Sequence, residues 1–146
     1  MQPNIKEATF HPYFKRNKIK ISHIDCGGCI ATSGECFLFG SNFHGQIGNN
    51  NNDQKNVYEP YLIKSDGINN DIILVGSCGY NHTILLSNKN TVITFGYNKY
   101  NQCSTLITDE YIISPHILSS EMTFNSNQIL SVLGMYYESI IFIAKN

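Results

Sequence analysis

Two cysteines stand two residues apart in "CGGC", Cys26 and Cys29. That spacing suits a redox pair or one half of a zinc site. A thioredoxin-type pair needs a helix start in a βαβ setting, and the flanking sequence offers neither. Zinc would need two further ligands; Cys36, His23 and His44 are near in sequence, without a second Cys–x–x–Cys. The stretch "FGSNFHGQIG" (39–48) carries three glycines after an apolar run, as a phosphate-cradling loop would. Such a loop must open a helix, so that backbone N–H groups and the helix dipole face the anion. Here it leads into "NNNNDQKNVYEP", a poor helix start that ends in proline, so the glycines read as a turn leaving a strand. No Ser–His–Asp set or carboxylate pair recurs at catalytic spacing, and Asp109–Glu110 reads as a solvated loop. The residues predict no enzyme, no cofactor and no metal.

The elements that hold these residues are legible from composition. The 146 residues suit one domain, and a net charge of −1 exerts no overall pull toward nucleic acid or an acidic membrane. The opening "MQPNIKEATFHPYF" lacks the apolar core of a signal peptide, and no apolar run approaches the ~20 residues that span a bilayer. Five cysteines without an export signal predict reduced thiols and an intracellular place, cytoplasmic or nuclear, with no membrane partner. Short runs of Ile, Val, Tyr and Phe cut by Gly and Asn, with no sustained 3.6-residue period, predict an all-β chain.

The glycine stretch recurs. "CFLFGSNFHGQIG" (36–48) aligns without a gap on "VITFGYNKYNQCS" (92–104), placing Phe39, Gly40, Asn42 and Gln46 on Phe95, Gly96, Asn98 and Gln102, each 56 positions on (95 − 39). Pro60 and Pro115 are 55 apart (115 − 60), as are Gly79 and Gly134 (134 − 79) in "ILVGSCGYNHTILL" and its weaker echo "ILSVLGMYYESIIF". "HIDCGGCIA" (23–31) resembles the same element, with its Cys–Gly four residues closer to the Phe–Gly. A fixed period signals a repeat architecture. Gly34 becomes Asn90 and Gly45 becomes Asn101, an exchange that predicts positive φ at both sites. Gly48 becomes Ser104, a glycine expected to be less strictly required, and Ile47 becomes Cys103, read as a small buried hydrophobe.

The order of motifs is an apolar run, Cys–Gly, two residues, His, an aliphatic strand, a Gly/Asn turn, Phe–Gly–x–Asn, Gly–Gln–x–Gly and Pro–x–x–Ile. Over roughly residues 20–143 it resembles the repeat of the regulator of chromosome condensation family of seven-bladed β-propellers. The best copy, 73–118, holds Cys78, Gly79 and His82 with Phe95, Gly96 and Asn98; Phe39 and Phe95 stand where that family usually has Trp. The resemblance implies a partial β-propeller of four-stranded antiparallel blades, incomplete at both ends. It implies a single domain over 1–146 with approximate repeats 18–63, 72–118 and an incomplete 128–146. One blade's strands are expected near 60–63, 72–77, 82–87 and 92–96, recurring near 115–118, 128–133 and 139–143, with earlier strands near 18–25, 28–32 and 36–40. Cys26 and Gly27 become the first copy of the family's Cys–Gly, Cys29 a small strand residue, and His82 a structural hydrogen-bonder with its third-copy counterpart near Tyr137.

Family members exchange guanine nucleotide on a Ran-type GTPase or serve as interaction propellers. The intervals from Phe–Gly to Pro, 20 (60 − 40) and 19 (115 − 96), leave no insertion for an exchange wedge. The expectation is therefore a non-catalytic interaction or structural subunit, completed by a protein partner or by self-association. The alternative is an exchange-factor-like regulator of a small GTPase. Lys15, Arg16, Lys18 and Lys20 form a basic cluster that reads either as a contact for nucleic-acid phosphates or as a solvated strand edge. Tyr97, Tyr100, Tyr111, Tyr136 and Tyr137 read as a binding surface or as blade packing, and "NNNNDQKN" (49–56) as a polar loop.

Overall fold

A strand covered on one face alternates buried and exposed side chains, yet all six residues of the strand His82–Ser87 are buried. Its apolar run "TILL" is continuous because a sheet lies against each of its faces. Leu85 joins the core shared with the preceding sheet, while Ile84 and Leu86 join the core shared with the following one. The computed structural model describes residues 11–25, 28–51, 53, 55–64, 71–118 and 129–144.

A short helix, α1 (Pro12–Arg16), precedes ten strands. The first sheet comprises β1 (Ile21–Asp25), β2 (Gly28–Ala31), β3 (Cys36–Gly40) and β4 (Val57–Leu62). The second comprises β5 (Ile73–Cys78), β6 (His82–Ser87), β7 (Val92–Tyr97) and β8 (Tyr111–Ile117). The third pairs β9 (Ile129–Gly134) with β10 (Ser139–Ile143). Each sheet is an antiparallel meander in chain order. The chain is a partial β-propeller. One grouping expected from the sequence shifts: the strand near 60–63 bonds to β3, with Leu38 opposite Tyr61, and so closes the first sheet instead of opening the second.

Ile30, Leu38 and Cys36 from the first sheet meet Leu85, Ile93 and Phe95 from the second, with Ile47 and Cys103 filling between them. Full burial of such side chains stabilises by about 1.5–3 kcal/mol each. A second seam packs Ile84, Leu86 and Val92 against Ile129 and Val132. The face of the first sheet turned away from the second is covered by α1. Phe14 packs there with Ala31 and Phe37, and its ring meets that of Phe37 edge-on at 5.5 Å. His11 caps the helix, its Nδ1 accepting the Tyr13 N–H at 3.3 Å, and Pro12 supplies a preset first-turn φ.

The basic cluster thus lies on a helical turn and not on a strand edge. Lys15 and Arg16 occupy the last turn of α1, Lys18 follows at φ 55°, and Lys20 precedes β1; all four are exposed. Among the described residues no helix is long and apolar enough to cross a membrane.

Candidate functional site

The turns β5–β6 and β9–β10 and the loops β3–β4 and β7–β8 all lie at one end of the sheets, because alternate connections of a meander share an end. The two long loops have one internal logic. In the first, the Asn42 carboxamide oxygen accepts the Ile47 N–H at 3.0 Å and its NH2 reaches Asn49 Oδ1 at 3.1 Å. In the second, Asn98 Oδ1 accepts from Cys103 N at 3.1 Å and Ser104 N at 2.9 Å, while its NH2 donates to the Ile107 carbonyl at 2.8 Å. Gln46 Oε1 accepts the His44 N–H at 2.9 Å, and Gln102 Oε1 the Tyr100 N–H at 3.0 Å. The repeated Asn and Gln thereby replace water as partners for loop amides that strand pairing leaves over.

Positive φ falls where the Gly/Asn exchanges predict it: 84° at Gly34, 61° at Asn90, 78° at Gly45 and 59° at Asn101. Gly40, the last residue of β3, and Gly96, one before the end of β7, take φ of 109° and 114°, a conformation that glycine alone adopts readily. The expectation for Gly48 needs correcting. Its φ is 66°, and a Cβ there would stand 2.9 Å from the Phe95 ring, so glycine is required by backbone and by space. Phe95 is fully buried, whereas its counterpart Phe39 is half-buried against His11 and Phe14.

The seams repeat as well. Thr83 Oγ1 donates to the Gln46 carbonyl at 2.8 Å, and Ser139 Oγ donates to the Gln102 carbonyl at 2.9 Å. Thr83 and Ser139 are 56 apart (139 − 83), as are the two glutamines (102 − 46). These hydroxyls clamp each blade's second strand to the loop of the blade before it. Sequence reasoning overlooked them, although small hydroxyl residues recurring inside an apolar strand are a usable signal. The third copy also runs at 56 and not 55: Gly134 pairs with Ser139 as Cys78 pairs with Thr83. Glu138, not Tyr137, therefore occupies the place of His82, and Gly134 that of Cys78. Gly79 and Gly134 still meet, since a Cβ on Gly134 would lie 2.5 Å from Gly79 N and one on Gly79 2.3 Å from the Met135 carbonyl.

His82 is buried, with Nε2 at 3.0 Å from Ser139 Oγ. Burial lowers its pKa, opposed by a backbone hydrogen bond at Glu138. The Cys78 N–H donates to Asp25 Oδ2 at 3.0 Å, tying the inner strands of two sheets together. Cys103 is buried and its thiol is pushed up to about 12 by desolvation, which makes it a packing residue and not a thiolate nucleophile. Pro60 is buried and Pro115 half-buried, in the outer strands β4 and β8. Cys26 and Gly27 lie outside the described residues, and of Cys29 only its backbone pairings with Ile24 and Phe37 are described. Of the zinc alternatives, Cys36 sits in the core, His23 faces Gly76, and His44 stacks among tyrosines. Among the described residues no three of His, Cys, Asp or Glu converge as a metal site.

Blades joined through self-bonded loops at one end, with a hydroxyl clamp in each seam, define a propeller-repeat protein. Residues 33–86 and 76–102 each match the regulator of chromosome condensation (RCC1) repeat. The chain belongs to that repeat family. It is 30% identical over 128 residues to protein RCC2 homolog of Danio rerio, across 84% of this chain and 24% of that protein. It is 33% identical over 98 residues to human protein RCC2, across 63% of this chain and 18% of that one. It thus spans about a quarter or less of the length of these relatives. Among solved structures it resembles human WBSCR16 with a TM-score of 0.66 at 13% identity, covering 77% of this chain and 28% of that one. It resembles Prp20p of Saccharomyces cerevisiae with a TM-score of 0.61 at 18% identity, covering 83% and 30%.

Proposed function

We propose that the chain acts as a non-catalytic protein-interaction or structural subunit, a single unit of three repeats whose blade stack is completed by a protein partner or by self-association. One register position carries this reading. Ile30, Leu86 and Phe142 stand 56 apart (86 − 30, 142 − 86) and face the following blade from three successive sheets. The first two are 3% exposed, Phe142 is 48% exposed, and Leu133 beside it is 41% exposed. A continuous apolar face of this kind is ordinarily covered in the working protein.

The structure of Prp20p was described with its binding to Gsp1p and histones. That observation favours, as a second reading, a regulator of a Ran-type GTPase, with Lys15, Arg16, Lys18 and Lys20 as an additional cationic contact. Light scattering of the purified chain under reducing conditions tests the first reading. A defined dimer or trimer, or a chain soluble only with a co-purified protein, is expected, and Phe142→Lys should abolish the association. A stable, monodisperse monomer would overturn it. Accelerated nucleotide release from a candidate GTPase would instead support the second reading.

A further inference from the structure

Aromatic side chains run unbroken along the end of the sheets that carries the repeated loops. The Tyr111 and Tyr97 rings lie 5.8 Å apart, Tyr97 and Tyr100 6.0 Å, and Tyr100 and Tyr137 4.9 Å. Tyr137 and Tyr136 follow at 4.2 Å, and Tyr136 and Tyr80 at 4.5 Å. His44, from the first sheet's loop, adds a ring 5.2 Å from Tyr97. The belt crosses all three sheets. Packing does not account for it: Tyr80, Tyr100 and Tyr136 are 59%, 56% and 57% exposed.

The belt is also pre-ordered. Gln102 holds the Tyr100 amide, Gln46 the His44 amide, and the Ser139 clamp fixes the strand that follows Tyr137. Rings already held in place lose little freedom on binding. The charges at the belt are mostly negative. Glu110 Oε1 accepts from the Tyr111 hydroxyl at 3.2 Å, Asp109 precedes it, and Glu138 follows Tyr137, all exposed; Lys99, also exposed, stands among them as a cation. Three carboxylates against one ammonium favour a cationic ligand.

We propose that this belt docks an extended, arginine-bearing segment of a partner protein, with guanidinium planes on the tyrosine faces and their N–H forks on Glu110 and Glu138. The inference rests on the reading of the chain as an interaction subunit and names the chemistry of the partner. Arginine suits the surface better than lysine because its planar head stacks and pairs bidentately at once. Nucleic-acid bases also stack on tyrosine, but their phosphates would meet the carboxylates.

Fluorescence anisotropy with a labelled octapeptide alternating arginine and serine tests this on the full chain, against the lysine-for-arginine peptide and a single-stranded oligouridylate. The arginine peptide should bind in a salt-sensitive way, the lysine peptide roughly fivefold more weakly, and the oligouridylate more weakly still. Tyr100→Ala and Tyr137→Ala should each weaken arginine-peptide binding about fivefold or more, and Glu138→Gln about two- to threefold. Should Tyr137→Ala fail to fold, Tyr80→Ser, in an exposed turn, carries the same comparison. Arginine-peptide binding unchanged by the tyrosine variants, no binding by that peptide, or tighter binding of oligouridylate would overturn the proposal. If the peptide fails while light scattering still finds the assembled species, the belt alone is wrong; a monomer that binds no peptide removes both readings.

Discussion

At Gly48 a repeat position and its individual surroundings make different demands. Serine occupies the equivalent place in the second copy, where Ser104 Oγ accepts the Leu106 and Ile107 amides at 3.1 Å each and needs no positive φ. At Gly48 the backbone is left-handed and the Phe95 ring closes the space. Gly48→Ser should therefore destabilise by about 1–3 kcal/mol in urea unfolding, whereas Asn101→Gly, exposed at φ 59°, should stay within about 0.5 kcal/mol. The Gly/Asn exchanges were readable because both residues tolerate the same backbone. The demand at Gly48 was not, because the obstructing ring lies 47 residues away (95 − 48) in another sheet. His82 gives a second prediction. Its pKa is depressed in the folded chain, so the unfolded chain binds the proton first as pH falls. Its contribution is complete above its ordinary value near 6.5 and is lost as pH drops through and below that value, with a slope of up to ~1.4 kcal/mol per pH unit. Urea midpoints at pH 8 and pH 5.5 should converge in His82→Gln relative to the unsubstituted chain.

Between elements, each seam combines apolar packing with a hydroxyl on a loop carbonyl, and further bonds join the Cys78 amide to Asp25 and His82 to Ser139. Thr83→Val keeps the shape and removes the donor, leaving the Gln46 carbonyl without it; a loss of about 1–2 kcal/mol in chemical denaturation is expected. Ser139→Ala should act on the other seam by a similar amount. The two clamps share no partner, so the double variant should lose the sum within about 0.5 kcal/mol. A strongly sub-additive result would mean that the blades unfold one after another. Strand positions were legible because a sheet covered on both faces writes itself as a continuous apolar run, as in "TILL", and the same run recurs in "SIIFI" although its described face is partly exposed. Helix α1 was not legible. Five residues show no apolar period, and only Phe14, placed against Ala31 and Phe37, justifies the turn.

For the molecule as a whole, the fixed spacing carried the fold, since Phe–Gly–x–Asn and Gln at 56-residue intervals recur only if each copy builds the same loop. The candidate site was half visible. Five of its tyrosines stood out as residues, but their continuity, and the entry of Tyr80 and His44, depends on which turns share an end. Helix α1 bears on how copies of the chain can meet. Phe14 sits on the face of the first sheet that a preceding blade would otherwise take, so among the described residues that face is already occupied. A head-to-tail contact, the kind that propagates into filaments, needs both faces open. With α1 seated, a second copy of the chain could not stack on that face, so head-to-tail addition would first require the helix to leave it. A five-residue helix thus sets what must move before one copy could add to another at that face.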